Sequence, residues 1–466
     1  MPDHPPAESH LREELTALFE EGFDTSEPSA RLEAVAGLAT EQAGRTRGEI
    51  AAMLARLPRR PGFPYHEPSD LAGIQAARPD GPRQLPGKPG KRFLSDRTLG
   101  GWLGRAAGCL LGKPCEGWSR QRIERTLRAF GEWPLSDYWP SVAELPPGFS
   151  FRQPGQAAPP DLLEYHRPDL PWLRGNIKQM ARDDDMDYPI IGLHILEKYG
   201  PGSTTADIGE AWLGCLPYSQ VCTAERVAYR NLVNGMKPPE TATHENPYRE
   251  WIGAQIRADI WGWACPGNPE RAAEIAWRDA SLSHTKNGIY GEMFFAALLA
   301  AAFMPVRQGL APATATHLRE LIAIALSEIP RNCRLRETVL DTVEWCANDP
   351  DWETTWDRIN AKYGHYHGVH TINNAAVVLM GLLHAKGDYE KAISIAVMGG
   401  WDTDCNGATA GSVIGTILGA KALPAKWIAP LHDHISSIVV GYTETKLSTL
   451  AKRTGKMQGR IATAYL

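Results

Sequence analysis

The chain has 466 residues, of which 43% are hydrophobic and 22% are charged, and its formal net charge is −5 at pH 7. This composition is typical of a globular protein with a large core and room for two or three domains. The mildly acidic balance gives no reason to expect binding to nucleic acid or to a membrane surface, since both favour clustered Lys and Arg. No stretch contains the roughly 18–20 uncharged apolar residues that a membrane span needs.

The cysteines and the opening residues bear on the cellular compartment. The eight cysteines are scattered without a CxxC pair, which argues against a disulfide framework or a Cys-ligated zinc site. The opening stretch, MPDHPPAESHLREEL, lacks the basic and then apolar order of a signal peptide. We therefore expect a protein of the reducing cytoplasm.

Residues 1–95 are predicted to form a unit of their own. Within them, HLREELTALFEEG and RLEAVAGLATEQAGRTRGEIAAMLARL carry apolar residues at helical spacing. A Pro- and Gly-rich stretch then runs from PRRPGFPYHEPSD to RPDGPRQLPGKPGKRF, which is typical of an extended linker or wrapping segment. The main domain is predicted over residues 96–466.

The main domain has an overwhelmingly helical pattern. PIIGLHILEKYG, RAAEIAWRDASL, EMFFAALLAAAF, HLRELIAIALSEI and NAAVVLMGLLHAKG all have the helical period, and alternating strand patterns are scarce. Residues 119–175, rich in Pro, Trp and Tyr, are predicted to be an irregular insertion that covers a site as a lid. The sequence therefore predicts an all-α fold.

A first acidic cluster, ARDDDMDYPIIGLHILEKYG, opens a helix with Asp183, Asp184, Asp185 and Asp187. One or two aspartates are explained by helix capping, because Asp accepts from free N–H groups and meets the positive end of the helix dipole. Three in succession repel one another and cannot all cap. A bound cation would relieve that repulsion.

A second acidic cluster, GGWDTDC, contains Asp402 and Asp404. In an extended turn, residues two apart point the same way, so both carboxylates can converge on one point. Oxygen-only ligands suit Mg²⁺ or Mn²⁺ better than zinc. An Asx-type turn that caps the following helix is the alternative, but two such clusters favour a shared site for one or two hard cations.

Two segments have glycines at four-residue spacing and so a helical face without side chains. These glycines are Gly101, Gly104, Gly108 and Gly112 in one segment and Gly407, Gly411, Gly415 and Gly419 in the other. The first segment ends close to Glu116. We expect the two helices to pack closely and to carry Glu116 and the aspartates into one buried centre.

Two further segments contain polar and aromatic residues that could bind a ligand. SLSHTKNGIYGE offers His284, Asn287 and Tyr290 for substrate contact, or else a helix cap with a satisfied histidine. GHYHGVHTINN groups three histidines, which indicates either a polar loop lining the cleft or a zinc or nickel site. No cysteine or carboxylate joins these histidines at ligand spacing, which favours the loop.

Several segments together resemble one known family, the ADP-ribosylglycohydrolases, which includes the dinitrogenase reductase-activating glycohydrolase. Its motifs are a Gly-x-x-x-Gly-x-x-x-Gly-Asp-x-x-Gly-x-Pro-x-Glu helix, Thr-Asp-Asp-Thr, Gly-Ala-x-x-Arg, Leu-Thr-His and Gly-Gly-Asp-Thr-Asp-Thr. GRAAGCLLGKPCE, DDDM, GAQIR, LSH and GGWDTDC stand in the same order in this chain. The resemblance extends over about residues 100–420.

The resemblance implies a metal-dependent hydrolase of a glycosidic bond to ribose. The substrate would be an ADP-ribosyl-, nucleotide- or nucleoside-like small molecule, held at a dinuclear Mg²⁺ or Mn²⁺ centre that positions ribose hydroxyls and water. The implied metal ligands are Asp183, Asp184, Asp185, Asp402 and Asp404. The implied catalytic residues are Glu116, Asp184 and Asp404. The expected substrate-binding residues are Gly253, Arg257, His284, Asn287, Tyr290, His367 and Trp401.

The chain departs from the family pattern next to the implied ligands. Cys109 stands where the family usually has Asp, and Cys405 stands where it has Thr; thiols are poor ligands for hard cations. Asp183 replaces a Thr, and Trp401 replaces a Gly. These changes leave a second hypothesis open, a catalytically degenerate protein that binds a ribosyl ligand. The intact Glu116 and the five aspartates favour the enzyme, and no GxSxG, Walker or strand-linked GxGxxG motif supports another enzyme class.

Overall fold

The computed structural model describes residues 7–153, 155–156, 159–304 and 313–464. Parts of all three predicted regions lie outside the described residues. These are residues 1–6 of the N-terminal unit, residues 154 and 157–158 of the insertion, and residues 305–312 and 465–466 of the main domain. Helices dominate the described part and strands are few, so the prediction of an all-α fold is confirmed.

The first four helices along the chain belong to the predicted N-terminal unit and are α1 (Glu8–Glu20), α2 (Ser26–Val35), α3 (Thr40–Leu54) and α4 (Leu71–Ala77). The next nine are α5 (Lys91–Gly112), α6 (Arg120–Ala129), α7 (Asp184–Tyr199), α8 (Thr205–Cys215), α9 (Ala224–Val233), α10 (Glu240–Thr243), α11 (Ala258–Ala264), α12 (Pro269–Ala280) and α13 (Lys286–Ala302). The last eight are α14 (Ala315–Leu326), α15 (Arg334–Asn348), α16 (Trp352–Tyr363), α17 (Thr371–Ala385), α18 (Tyr389–Met398), α19 (Thr403–Leu418), α20 (Ala425–Ile428) and α21 (Leu447–Ala464).

Two small sheets accompany the helices. Strands β1 (Phe149–Phe151) and β2 (Leu163–Tyr165) pair in parallel within the predicted insertion. Strands β3 (His434–Ser436) and β4 (Glu444–Lys446) pair antiparallel just before α21. Within the described residues, no helix combines the length and the apolar character that crossing a membrane requires.

The first three helices have a small hydrophobic cluster of their own. It contains Leu11, Leu15, Leu32, Val35, Ala43 and Ile50. The long helical segment predicted from Arg31 onward is divided into α2 and α3. Backbone bonds from Gly37 N–H to the Ala34 carbonyl and from Leu38 N–H to the Val35 carbonyl close a turn between them.

The Pro- and Gly-rich stretch wraps over the main domain. Its Arg78 forms ion pairs with Glu270 and Glu328, and its Glu67 pairs with the buried Arg334. Its backbone also accepts a hydrogen bond from the main domain, since Trp277 Nε1 donates to the Ser69 carbonyl at 2.9 Å. These contacts fasten the N-terminal segment along the helical core.

The two Gly-lined helices, α5 and α19, pack antiparallel with their backbones in contact. A Cβ atom on Gly100, Gly104, Gly108 or Gly112 of α5 would lie 2.0–2.3 Å from a carbonyl oxygen of α19. The facing pairs are Gly100 with Gly415, Gly104 with Gly411, Gly108 with Gly407 and Gly112 with Thr403. Close packing of the two glycine faces is thus confirmed.

Two glycines differ from their predicted place in this contact. Gly101 lies beside the face and meets the Trp263 ring and Thr416, so Gly100 takes its position against α19. Gly419 has a φ of +82° and ends α19, because only glycine adopts that conformation without cost. The antiparallel arrangement places the end of α5, which Glu116 follows, beside the beginning of α19, where Asp402 and Asp404 are found.

Candidate metal centre

Three carboxylates meet at the junction of α5 and α19. Asp402 is the residue before α19 and makes no capping hydrogen bond with its side chain, and Asp404 lies in the first turn of the helix. Glu116 follows the 3₁₀ turn Lys113–Cys115 that continues α5. One oxygen from each of the three side chains lies within 4.8 Å of the others. The helical first turn achieves this convergence, whereas the sequence predicted an extended turn.

Backbone hydrogen bonds fix the two loops that present these carboxylates. Gly117 N–H donates to the Trp401 carbonyl at 2.9 Å, and Trp401 N–H donates to the Trp118 carbonyl at 3.0 Å. The Thr403 hydroxyl donates to the Gly112 carbonyl at 2.8 Å. The positions of Glu116 and of the two aspartates are therefore mechanically linked.

Asp183, Asp184 and Asp185 begin α7 on the other side of the centre. Asp183 accepts from the Asp185 N–H at 3.1 Å, so it caps the helix as the capping alternative predicts. The Lys113 ammonium also donates to Asp183 Oδ2. Asp185 is buried and accepts from Arg105 Nη2 at 2.7 Å. Both side chains thus have a cationic partner already.

A fourth acidic residue of that motif, Asp187, belongs to the surrounding structure. It accepts from the Ser437 hydroxyl at 2.6 Å and from the Ile438 N–H at 3.1 Å. These bonds tie α7 to the loop that follows β3.

The two cysteines that depart from the family pattern lie among the carboxylates. Cys109 Sγ lies within 4.8 Å of oxygens of Asp183 and Asp185, and Cys405 Sγ does so with Asp185 and Asp404. Both cysteines are buried. Burial and the nearby aspartates raise the pKa of each thiol well above its usual value, so the thiols are neutral near pH 7.

Two buried carboxylate oxygens in the centre have no hydrogen-bond partner, Asp185 Oδ2 and Asp404 Oδ1. Burial raises the pKa of both acids, and like-charged neighbours raise the pKa of Asp404 further. An unpaired buried carboxylate is costly, and a divalent cation would stabilise it. The oxygen ligands therefore fit a hard divalent ion.

Glu116 and Asp184 are the more accessible acids of the centre. Desolvation, followed by repulsion from Asp402 and Asp183, raises the pKa of Glu116 to about 7. Burial and then Asp183 raise the pKa of Asp184 to about 8. Glu116 is exposed at the mouth of the centre, which is where a group that exchanges protons with a substrate has to be.

Trp401 and His367 lie on an aromatic wall next to the aspartates. Trp401 is half-buried, has a φ of +64° and lies near the Trp356 ring, with 6.1 Å between ring centroids. A Cβ on Gly368 would lie 3.7 Å from the Trp401 ring. The neighbouring His367 is exposed and stacks on Trp251, with centroids 4.3 Å apart.

Asn374 joins this wall to the centre, and sequence reasoning did not identify it. Its side-chain oxygen accepts from the Asp402 N–H at 3.3 Å and from Asn406 Nδ2 at 2.8 Å, and its Nδ2 donates to the Gly368 carbonyl at 2.8 Å. The TINN run that follows the histidines was the available signal.

The insertion forms a cavity of about 240 Å³ next to Glu116. Arg122 and Arg152 bring positive charge to its wall, and Glu164 and His166 lie beside them. The Arg122 guanidinium stacks over Trp118 at 3.9 Å and donates to the Glu164 carbonyl. Part of the predicted insertion therefore lines the space in front of the carboxylates.

Gly253, Arg257 and His284 are placed in a buried polar network. Arg257 is 1% exposed and donates to Glu225 at 2.6 Å. A Cβ at Gly253 would lie 2.2 Å from that same Glu225 side chain, and His284 Nδ1 bonds the Ser283 hydroxyl at 2.8 Å. The network packs against α7, since the Arg257 guanidinium lies 5.5 Å from the ring of Tyr188 in that helix. Because α7 also carries Asp184 and Asp185, the network supports the centre through that helix.

Asn287 and Tyr290 contact the N-terminal segment. Asn287 Nδ2 donates to Glu67 at 2.9 Å, and the Tyr290 hydroxyl donates to the Pro68 carbonyl at 2.5 Å. Both side chains are fully buried. The structure does not bring them to the acidic centre.

The other two histidines of the GHYHGVH stretch also have local partners. His370 is buried, and its Nδ1 accepts from the Ile372 N–H at 3.1 Å, which caps α17. His365 Nδ1 lies 3.0 Å from the Lys362 carbonyl. In the described part of the chain, the groups of potential ligands that approach one another closely contain carboxylates and thiols.

Comparison with known proteins gives the following similarities. A family model described as ADP-ribosylglycohydrolase matches residues 90–461. No curated protein sequence matches significantly. A solved structure described as an ADP-ribosylglycohydrolase-related protein complex is 19% identical, with 79% of this chain and 99% of that chain covered and a TM-score of 0.44.

Proposed function

Because the chain belongs to the ADP-ribosylglycohydrolase family, we propose that it hydrolyses a glycosidic bond to ribose in a small ADP-ribosyl-, nucleotide- or nucleoside-like substrate. The reaction would require Mg²⁺ or Mn²⁺. One observation carries the proposal: oxygens of Glu116, Asp402 and Asp404 converge within 4.8 Å of one another although the residues come from two distant segments of the chain.

The proposed catalytic groups have distinct positions in the centre. A bound divalent cation would supply Lewis acidity, which orients ribose hydroxyls and lowers the pKa of water. Glu116, at the mouth, would give its proton to the leaving group as the glycosidic bond breaks, and a carboxylate of the centre would take the proton that water releases as it adds to the anomeric carbon. Asp402, Asp404 and Asp184 would stabilise the positive charge that develops on the sugar. The rigid loops limit how far these groups can move apart.

The surroundings support a substrate that carries an aromatic base and an anionic group. Trp401 and His367 offer flat surfaces at the wall beside the aspartates. Arg122 and Arg152 bring two guanidinium groups to the cavity, which Glu116 and Glu164 also line. A phosphate-bearing riboside satisfies both features.

The test is hydrolysis of a panel of ADP-ribosylated protein, ADP-ribose derivatives, nucleotides and nucleosides, with and without Mg²⁺ or Mn²⁺. Asp404→Asn should abolish turnover of the accepted substrate and weaken cation binding at least tenfold. Asp388→Asn is the matched control, because Asp388 caps α18 and Asn is an equally good cap. Turnover without a divalent cation, or full activity of Asp404→Asn, would overturn the proposal.

A second candidate is a degenerate protein that binds a ribosyl ligand without cleaving it. The buried thiols of Cys109 and Cys405 favour it, because neutral thiols are weak ligands for Mg²⁺. Binding of a panel member without any turnover, with cation present, would support it.

All eight cysteines carry free thiols, which supports a reducing compartment, and we propose the cytoplasm.

A further inference from the structure

The acidic centre contains three overlapping groups of potential ligands, and the two that share no residue have different electrostatic surroundings. The outer group consists of Glu116, Asp402 and Asp404, and the inner group of Cys109, Asp183 and Asp185. The third group, Asp185, Asp404 and Cys405, has one aspartate in common with each of them. A dinuclear centre would need both groups to attract a cation.

In the inner group, positive side chains already take up the negative charge. Lys113 donates to Asp183 Oδ2, and the Lys113 side chain is only 20% exposed. Arg105, which is fully buried, donates to Asp185 Oδ1 and also pairs with Asp259 at 2.9 Å. The third member, Cys109, contributes a thiol where a carboxylate would add charge.

The outer group is arranged differently. Within the ranges that the structure describes, no Lys or Arg forms an ion pair with Glu116, Asp402 or Asp404. Each group has one buried carboxylate oxygen without a hydrogen-bond partner, Asp404 Oδ1 in the outer group and Asp185 Oδ2 in the inner group, so the missing cationic partner is what sets the outer group apart. Three neighbouring carboxylates without a cationic partner attract a divalent cation strongly.

Lys113 lies between the two groups because of its place in the chain. It begins the 3₁₀ turn that ends immediately before Glu116. The same turn therefore presents Glu116 to the outer group and the ammonium to the inner group. A divalent ion in the inner group would have to approach that ammonium and compete with it for Asp183.

We infer that the centre holds one divalent cation, bound by Asp402 and Asp404 beside Glu116, and that the Lys113 ammonium takes the place of a second. The inference rests on the proposed function, since it assumes that the outer group binds a cation. The centre would then contain one exchangeable metal ion and one fixed positive charge, the ammonium group of Lys113.

The experiment counts Mn²⁺ ions bound by the full-length chain, by equilibrium dialysis together with electron paramagnetic resonance. The wild-type protein should bind one Mn²⁺ per chain, with the spectrum of an isolated ion. Lys113→Met, which removes the charge, should bind two and show the spin-coupled spectrum of neighbouring ions. Adding Cys109→Asp to Lys113→Met should tighten the second site at least tenfold. Lys113→Arg, which keeps the charge, should still bind one.

The possible failures are distinguishable. Two spin-coupled ions in the wild-type protein would overturn the inference and leave the proposed function intact. One ion in both the wild-type protein and a folded Lys113→Met variant would also overturn it, because Lys113 would not be what excludes the second ion. No bound Mn²⁺ in the wild-type protein would overturn the proposed function itself. If Lys113→Met does not fold, the wild-type count and Lys113→Arg decide the question.

Discussion

Replacing Gly108 by Ala tests whether the α5–α19 contact holds the centre together. An alanine Cβ at this position would lie 2.0 Å from the Gly407 carbonyl oxygen, whereas ordinary contacts begin at 3.4 Å. The two helices would have to separate by about 1.4 Å. The obstacle is backbone, so no side-chain rotation can relieve the contact.

The expected magnitude follows from two opposing effects. Overpacking costs about 1–3 kcal/mol, and a backbone obstacle favours the upper end of that range. Alanine in a helix gains about 1 kcal/mol over glycine. We therefore expect the free energy of unfolding of Gly108→Ala to fall by about 2 kcal/mol. Gly455→Ala is the matched control: it lies within α21 with open space around its Cβ, and we expect a gain of about 1 kcal/mol.

The assay is urea unfolding followed by circular dichroism, combined with Mn²⁺ titration of both variants. Separation of α5 from α19 should also weaken Mn²⁺ binding in Gly108→Ala, because Glu116 would move away from Asp402. Gly455→Ala should bind Mn²⁺ as the wild-type protein does. A Gly108→Ala variant as stable as Gly455→Ala would refute the role assigned to the glycine contact.

Three further predictions concern other parts of the chain. Arg334→Met should destabilise the protein by about 3–5 kcal/mol in urea unfolding, because it leaves the buried carboxylates of Glu67 and Glu250 without their cation; a loss below about 1 kcal/mol would contradict this. Burial lowers the pKa of His370 to about 3, so the unfolded chain binds a proton near pH 6.5 that the folded chain does not. Stability should therefore fall by about 2 kcal/mol between pH 6.5 and pH 5, and His370→Asn, which can still cap α17, should lose that part of the pH dependence. Arg152→Ala should raise KM about fivefold for a phosphate-bearing riboside and leave KM for a nucleoside unchanged; equal effects on both would contradict the assignment of an anionic subsite.

The sequence predicted the helical scaffold of the centre well, for a simple physical reason. A helix face made only of glycine can bury itself only against another backbone, so Gly104, Gly108, Gly407 and Gly411 indicated a close helix pair. Because the pair is antiparallel, its end brings Glu116, which follows one helix, to Asp402 and Asp404, which begin the other. Fold class and the junction itself could be predicted from local patterns of this kind.

The partners of the charged side chains could not be predicted. Lys113 and Asp183 are 70 positions apart, and Arg105 and Asp259 are 154 apart, so nothing in the local sequence pairs them. Asn287 illustrates the same limit. A polar residue beside a helix start has the same local pattern whether it faces a ligand cleft or, in this fold, Glu67 of a segment 220 positions away.

The contact between α1 and the aromatic wall has a consequence for what counts as a complete unit of this protein. His370 Nε2 lies 3.7 Å from Glu20, and the Tyr248 hydroxyl donates to Glu13 at 2.7 Å. The Tyr248 ring packs on Trp251, on which His367 stacks, so the hydrogen bond from Tyr248 to Glu13 braces this wall from outside the region that the family model spans. Helix α1, which lies outside the region matched by the family model, therefore supports one wall beside the centre. Changes in α1 are therefore expected to shift this wall without altering any residue of the centre.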